Sequence, residues 1–404
     1  MKRFIPVFAI VLLSAGFTVR AFAQSDSTAF KPHWSFNGQF FADYYNMLGA
    51  DTVSGKGYDG PRGKNYYEPN SNTPNGNLDN TKYYQAFDMR RVQFGANYYY
   101  SKDITAKVLM EHESAYAGGD VLGDNKSGFY VKEASLTFGN WIPMANVIFG
   151  QQAMNMFSVD EGLWGFRGVE KSILDLRGGT ETGSNDLGIQ VQGNFDKDKA
   201  FGYSVSLVNY DNSSKVEDLK NKVIAGQLTG KFMDKHIVLD ITGDYVSLGT
   251  APGISDSDFA NGKTSATNID QSNSLLKAAL AYDSKPITVG VVYAMHNLNG
   301  QSKAKAGADV QQTGLSIFAH GQIIEKTLNA FARYDMWDPD KNANDNILGR
   351  KESFIIAGLD WVPEADANVH VDPNIEINSF TDKDHLGRSY ESISALRLTF
   401  WAKF

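Results

Sequence analysis

The chain has 404 residues, 38 Lys and Arg against 46 Asp and Glu, a formal net charge of −8, and no Cys. The missing Cys excludes disulfides and thiolate chemistry, and the acidic balance excludes a nucleic-acid-binding surface, which needs clustered basic residues. Mean hydropathy is on the polar side.

Lys2 and Arg3 precede an apolar run from Phe4 to about Phe17, and Ala21-Phe22-Ala23 follows as a small-x-small cleavage site before Gln24. This is the pattern of a secretory signal peptide over residues 1–23. No Cys follows it for lipid attachment, and no later run approaches the 18 or so apolar residues of a helical span.

From there the chain reads as alternating apolar and polar positions. Sixteen strands are expected, at 34–46, 84–100, 103–115, 128–140, 145–152, 186–196, 200–210, 222–233, 235–248, 272–283, 286–297, 312–323, 327–338, 352–363, 366–378 and 391–404. Their connections alternate short and long. The long ones fall at 47–83, 116–127, 153–185, 211–221, 249–271, 298–311, 339–351 and 379–390. Sixteen antiparallel strands with both ends on one side require seven turns there and eight loops opposite. The expected fold is therefore all-β: a transmembrane antiparallel β-barrel of 16 strands with short periplasmic turns and long outer loops. The region 24–404 reads as one such barrel in a bacterial outer membrane.

Within strands, Leu187, Ile189 and Val191 oppose Gly188, Gln190 and Gln192. The apolar set is assigned to lipid and the polar set to a watery lumen. Aromatic residues near the short turns (Tyr98, Tyr100, Phe138, Phe195, Trp361 and Phe404 among them) suit an interfacial girdle. The last strand alternates Leu396, Leu398, Phe400, Ala402 and Phe404 with Arg397, Thr399, Trp401 and Lys403. By strict alternation Arg90 falls on the lipid face. The lumen receives Arg91, Lys107, Arg333 and Arg397 against Glu111, Glu113, Glu133, Asp240, Asp244, Asp335 and Glu376.

The 153–185 loop carries Met154, Met156, Phe157, Val159, Leu163, Trp164 and Phe166, which are costly to expose. Folding it into the lumen would bury them and place Asp160, Glu161, Arg167, Glu170, Lys171, Asp175, Arg177 and Glu181 at the narrowest point, a size and charge filter. The excess of acids predicts little selectivity or a weak cation preference.

Several segments resemble the phosphate-selective porin O and P family: Phe87-Asp88-Met89-Arg90-Arg91-Val92-Gln93-Phe94-Gly95, Tyr130-Val131-Lys132-Glu133-Ala134-Ser135-Leu136, Val147-Ile148-Phe149-Gly150-Gln151, Val169-Glu170-Lys171-Ser172, and Arg333-Tyr334-Asp335 with Asp338-Pro339-Asp340. The resemblance spans roughly residues 84–404. It implies an outer-membrane porin, often trimeric, that passes small ions and hydrophilic solutes and contacts lipid and lipopolysaccharide. Mixed lumen charges leave the solute unassigned. A phosphate or anion channel is the alternative, and a non-conducting structural or adhesive barrel is another.

Other constellations are weaker. Asp338, Asp340, Asn342 and Asn344 share the spacing of a Ca²⁺ loop, but Ala343 and Gly349 stand where that loop needs Gly and Glu. In Glu111-His112-Glu113, alternation points His112 away from both acids. No Gly-x-Ser-x-Gly elbow is present. The sequence is therefore read as non-enzymatic and without a cofactor.

Overall fold

The computed structural model describes residues 30–49, 85–113, 129–177, 179–210, 220–253, 267–301, 308–341, 351–364, 368–381 and 392–404. The signal segment 1–23, most of 47–83, and the Ca²⁺-type residues Asn342 and Asn344 lie outside the described residues.

Sixteen strands form: β1 (His33–Gly49), β2 (Gln85–Tyr99), β3 (Ile104–Glu113), β4 (Tyr130–Ile142), β5 (Ala145–Ala153), β6 (Asn185–Asn194), β7 (Phe201–Asn209), β8 (Lys222–Phe232), β9 (Ile237–Gly253), β10 (Thr267–Ser284), β11 (Ile287–Asn299), β12 (Val310–Ile324), β13 (Leu328–Asp338), β14 (Glu352–Trp361), β15 (Val369–Phe380) and β16 (Ile393–Lys403). Each pairs antiparallel with its sequence neighbours, and β1 pairs with β16 to close the barrel. Closure pairs both sides of every strand and leaves no free sheet edge.

The turns are built by local chemistry. Between β6 and β7, the N–H groups of Ala200 and Phe201 donate to the Asp196 carboxylate at 2.9 and 2.7 Å. Those donors hold its carboxyl below the ordinary range. At the opposite end β9 and β10 pair as far as Gly253 with Thr267, past a bulge at Gln271. This hairpin is longer than alternation suggests.

The outer face is apolar. Leu207, Ile224, Leu228, Ile241, Leu276 and Leu280 are all exposed there. Aromatic residues cluster beyond this belt, with Tyr98 and Tyr100 edge-on at 4.5 Å and Phe138 against Trp141 at 4.1 Å.

Two features of the inner face correct the sequence reading. The first is Arg90. Phe41 faces Arg91 and Ala42 faces Met89, so Arg90 is the extra residue of a β-bulge. The bulge turns Arg90 inward beside Arg91, while Met89 stays outside; strict alternation had put Arg90 toward lipid. The same device recurs at Lys132, skipped between Val131 and Glu133 opposite β3. The second is polarity. The wall is not uniformly polar: Val292, Phe318, Phe331, Phe354 and Ile356 point inward and are buried. Glycines leave room for the large rings, as Gly358 does for Phe331 at 2.7 Å from a would-be Cβ.

Candidate functional site

The segment between β5 and β6 supplies what covers that apolar wall. It contains two short helices, α1 (Ser158–Trp164) and α2 (Ile173–Arg177). Gly165 ends α1 in the left-handed conformation, φ 74°, and donates its N–H to the Glu161 carbonyl. Trp164 lies edge-on to Phe318 and Phe331, each 5.9 Å away, and Phe166 packs on Phe331 at 4.4 Å. Met154, Met156, Phe157, Leu163, Val169, Ile173 and Leu174 are buried in the same cluster. Burial of about 2 kcal/mol per large apolar side chain makes this the main force holding the segment inside the barrel.

Buried cations then fix its position. Lys277 on β10 donates to the Asp160 carboxylate and the Met156 carbonyl, with Asp240 3.6 Å away. Arg90 binds Asp43 at 2.8 Å and donates to the Gly168 and Val169 carbonyls. Arg397 donates to Val169 at 2.9 Å and also pairs with Glu170, Glu376 and Asp43. Arg333 donates to the Lys171 carbonyl at 2.7 Å, pairs with Asp335, and lies 4.9 Å over the Trp164 ring. Arg177 pairs with Glu352 at 2.8 Å. The segment thus spans from β10–β13 across to β16, β1 and β2.

Four other charges of the segment keep part of their side chains exposed inside the barrel. Arg167 bridges Glu161 at 2.8 Å and Asp175 at 2.9 Å, and Lys171 lies 3.6 Å from Asp175. Burial raises the Asp175 carboxyl, but Lys171 and Arg167 outweigh it and hold Asp175 below the ordinary range. Arg91 and Lys132 on the facing wall act on it in the same direction. Burial wins at Asp160 and Glu161, whose carboxyls are pushed up despite Lys277 and Arg167. On the wall, Glu111 is fully buried beneath Arg91 at 3.3 Å and Lys132 at 2.7 Å, and Lys107 reaches Glu133 at 2.7 Å. The side chain of Glu113 lies outside the described residues. Glu181 meets His296 at 2.6 Å. On the turn side of α1, a cavity of about 560 Å³ is lined by Asn155, Ser158, Gln192, Tyr203, Gln227 and Lys231 among others.

Alternation missed Arg90 and Lys132. A signal for both exists: each strand reads apolar, charged, charged, apolar (Met89 to Val92, Val131 to Ala134), and both apolar ends face out only if an extra residue intervenes. Lys277 and Asp43 had no such signal.

Solved structures with this architecture are outer-membrane proteins. The anion-selective porin from Comamonas acidovorans aligns with TM-score 0.60 at 9% identity, over 93% of this chain and 100% of that one. The outer-membrane channel DcaP of Acinetobacter baumannii gives 0.59 at 11% identity over 92% and 97%. OmpT of Vibrio cholerae gives 0.58 at 11% identity over 95% and 99%.

The fold is that of an outer-membrane porin.

No family model matches the sequence. No curated protein matches it either. One expectation is corrected at this point. The chain was read as non-enzymatic, but its likeness to OmpT and the porins is a likeness of fold at 9–14% identity, and a fold does not exclude catalysis.

Proposed function

We propose that this protein is a porin of the bacterial outer membrane, a water-filled channel through which ions and small hydrophilic solutes diffuse passively. The observation that carries the reading is a band of partly wet charges inside a closed barrel. The side chains of Lys107, Lys171, Glu161 and Arg167 are 36, 30, 24 and 18% exposed although all lie within the wall. Partly exposed charges of this kind are the lining that an aqueous path between the 153–185 segment and the β2–β4 wall would need. In this reading Asp160, Glu170 and Arg177 anchor the constriction, and Glu161, Arg167, Lys171 and Asp175 form its wet edge opposite Arg91, Lys107 and Lys132. Residues 1–23 would direct export, and a homotrimer fits the apolar outer wall.

Purified protein in planar bilayers should show discrete single-channel steps. Their absence would sink the channel reading and favour a plugged structural barrel.

An anion preference is the second reading, supported by a difference in exposure. Lys107 and Lys171 are wetter than their partners Glu133 and Asp175, at 8 and 13%. At these two pairs the exposed partner is the cation, which presents a basic edge there, whereas at Arg167–Glu161 the acid is the more exposed. A chain of the phosphate-selective O and P type would behave this way. Reversal potential in a salt gradient decides: an anion-sign potential supports this reading, and a cation-sign or zero potential removes it.

A further inference from the structure

Three inward-facing side chains near the β14–β15 connection have no role in the channel reading. Asp360 on β14 and His370 and Asp372 on β15 bring one donor atom each to within 4.8 Å of the others. Asp360 and Asp372 are 2 and 0% exposed. His370 Nδ1 is 2.7 Å from Asp360 Oδ1. No Lys or Arg makes a salt bridge to either carboxylate among the described residues. Two buried carboxylates with only an imidazole between them are costly to leave so. The second carboxylate oxygen of Asp372, Oδ1, is buried and has no hydrogen-bond partner.

The surroundings orient these donors. Trp401 on β16 stacks on His370 with ring centroids 3.6 Å apart and planes 4° from parallel. Its indole Nε1–H donates to Asp372 Oδ2 at 2.7 Å. Asn329 donates to Asp360 Oδ2 at 2.7 Å. Carboxylates and imidazoles held by a second layer of hydrogen bonds are the usual setting of a metal centre. Above the site, Gly168 of the inserted segment meets Trp401 so closely that a Cβ there would lie 2.6 Å from the indole. His370, with a side chain 16% exposed, gives the cluster its opening to the lumen.

We infer that Asp360, His370 and Asp372 form a binding site for one divalent transition-metal ion. One imidazole and two carboxylates suit Zn²⁺, at about 2.0–2.2 Å from each donor. Three protein ligands leave a further position for water from the lumen. The ion would neutralise both buried carboxylates and join β14 to β15, with β16 held through Trp401. This inference is independent of the solute that the channel passes.

The test uses the full chain folded in detergent and stripped with a chelator. Titration with Co²⁺, followed by visible absorbance, and with Zn²⁺, followed by calorimetry, should saturate at one ion per chain. Asp372→Asn and His370→Gln should abolish that saturable binding, and Trp401→Phe should weaken it about 10-fold through the lost indole donor. Co²⁺ should also quench tryptophan fluorescence less in Trp401→Phe than in the parent. Absence of a saturable ion in the parent protein, whatever the variants do, overturns the site and leaves a shared proton as the balance of charge. Unchanged affinity in folded Asp372→Asn and His370→Gln also overturns it.

Discussion

Lys277 shows how single residues hold the inner segment in place. It is wholly buried, with Asp160 and Asp240 as its counter-charges. Lys277→Met keeps the bulk but leaves two buried carboxylates, Asp160 on the inserted segment and Asp240 on the wall, without this cation. The expected loss is about 3–5 kcal/mol, because an uncompensated buried charge is costly. Urea unfolding of the detergent-folded barrel measures it, and adding Asp160→Asn should restore part of the loss. A change within about 0.5 kcal/mol, typical of an ordinary surface site, would show that the pair does not anchor the segment. Asp175 makes a prediction about pH. Its folded pKa is depressed, so its contribution is complete above the unfolded value near 3.9 and is lost as pH falls through the folded value. The contacts of Asp175 with Arg167 and Lys171 should therefore hold in acid until about pH 4 and weaken below it, seen as rising current noise. In Asp175→Asn that acid phase should be missing.

At the scale of elements, the 153–185 segment is held by two different faces. Trp164, Phe166 and Ile173 lie on an apolar wall, and the Gly168 and Val169 carbonyls are gripped by Arg90 and Arg397. Deleting 157–177 removes both sets of contacts while leaving every strand pair intact. Single-channel conductance should then rise severalfold, and unchanged conductance would show that the segment does not narrow the path. The loss would also expose Phe318, Phe331 and Phe354, so the deleted barrel should bind hydrophobic dyes that the parent excludes. That the segment holds buriable residues is visible in its composition. Which wall they cover is not, because Phe318 and Phe331 alternate along their strands much as lipid-facing residues do.

For the molecule as a whole, the apolar belt is the deciding surface. Ile241 sits within it, outward and exposed. If the belt meets lipid, Ile241→Arg should cost about 2–4 kcal/mol in a bilayer, as a charge near the midplane does. Reversible unfolding from liposomes measures this, and a change within about 0.5 kcal/mol would be that of an ordinary wet surface. Closure itself needs no special contact: β1 and β16 pair through ten residues, from Gln39 with Lys403 to Gly49 with Ser394.

Sixteen strands and their antiparallel order could be read from residue order. Period-two alternation and turn chemistry are local properties, and a barrel is the closed form they build. The extension of β9 and β10 to Gly253 and Thr267 escaped that reading, because this stretch has no period-two pattern of apolar residues. The contacts that matter most inside the barrel join residues far apart in the chain, such as Asp160 with Lys277 and Asp43 with Arg397. They depend on register, and register depends on bulges that belong to a pair of strands and not to one. One inserted residue at Arg90 turns a charge from lipid to lumen. The register of β14, β15 and β16 brings Asp360, His370, Asp372 and Trp401 together with the same face inward, and closure of β1 on β16 sets Asp43 beside Arg397.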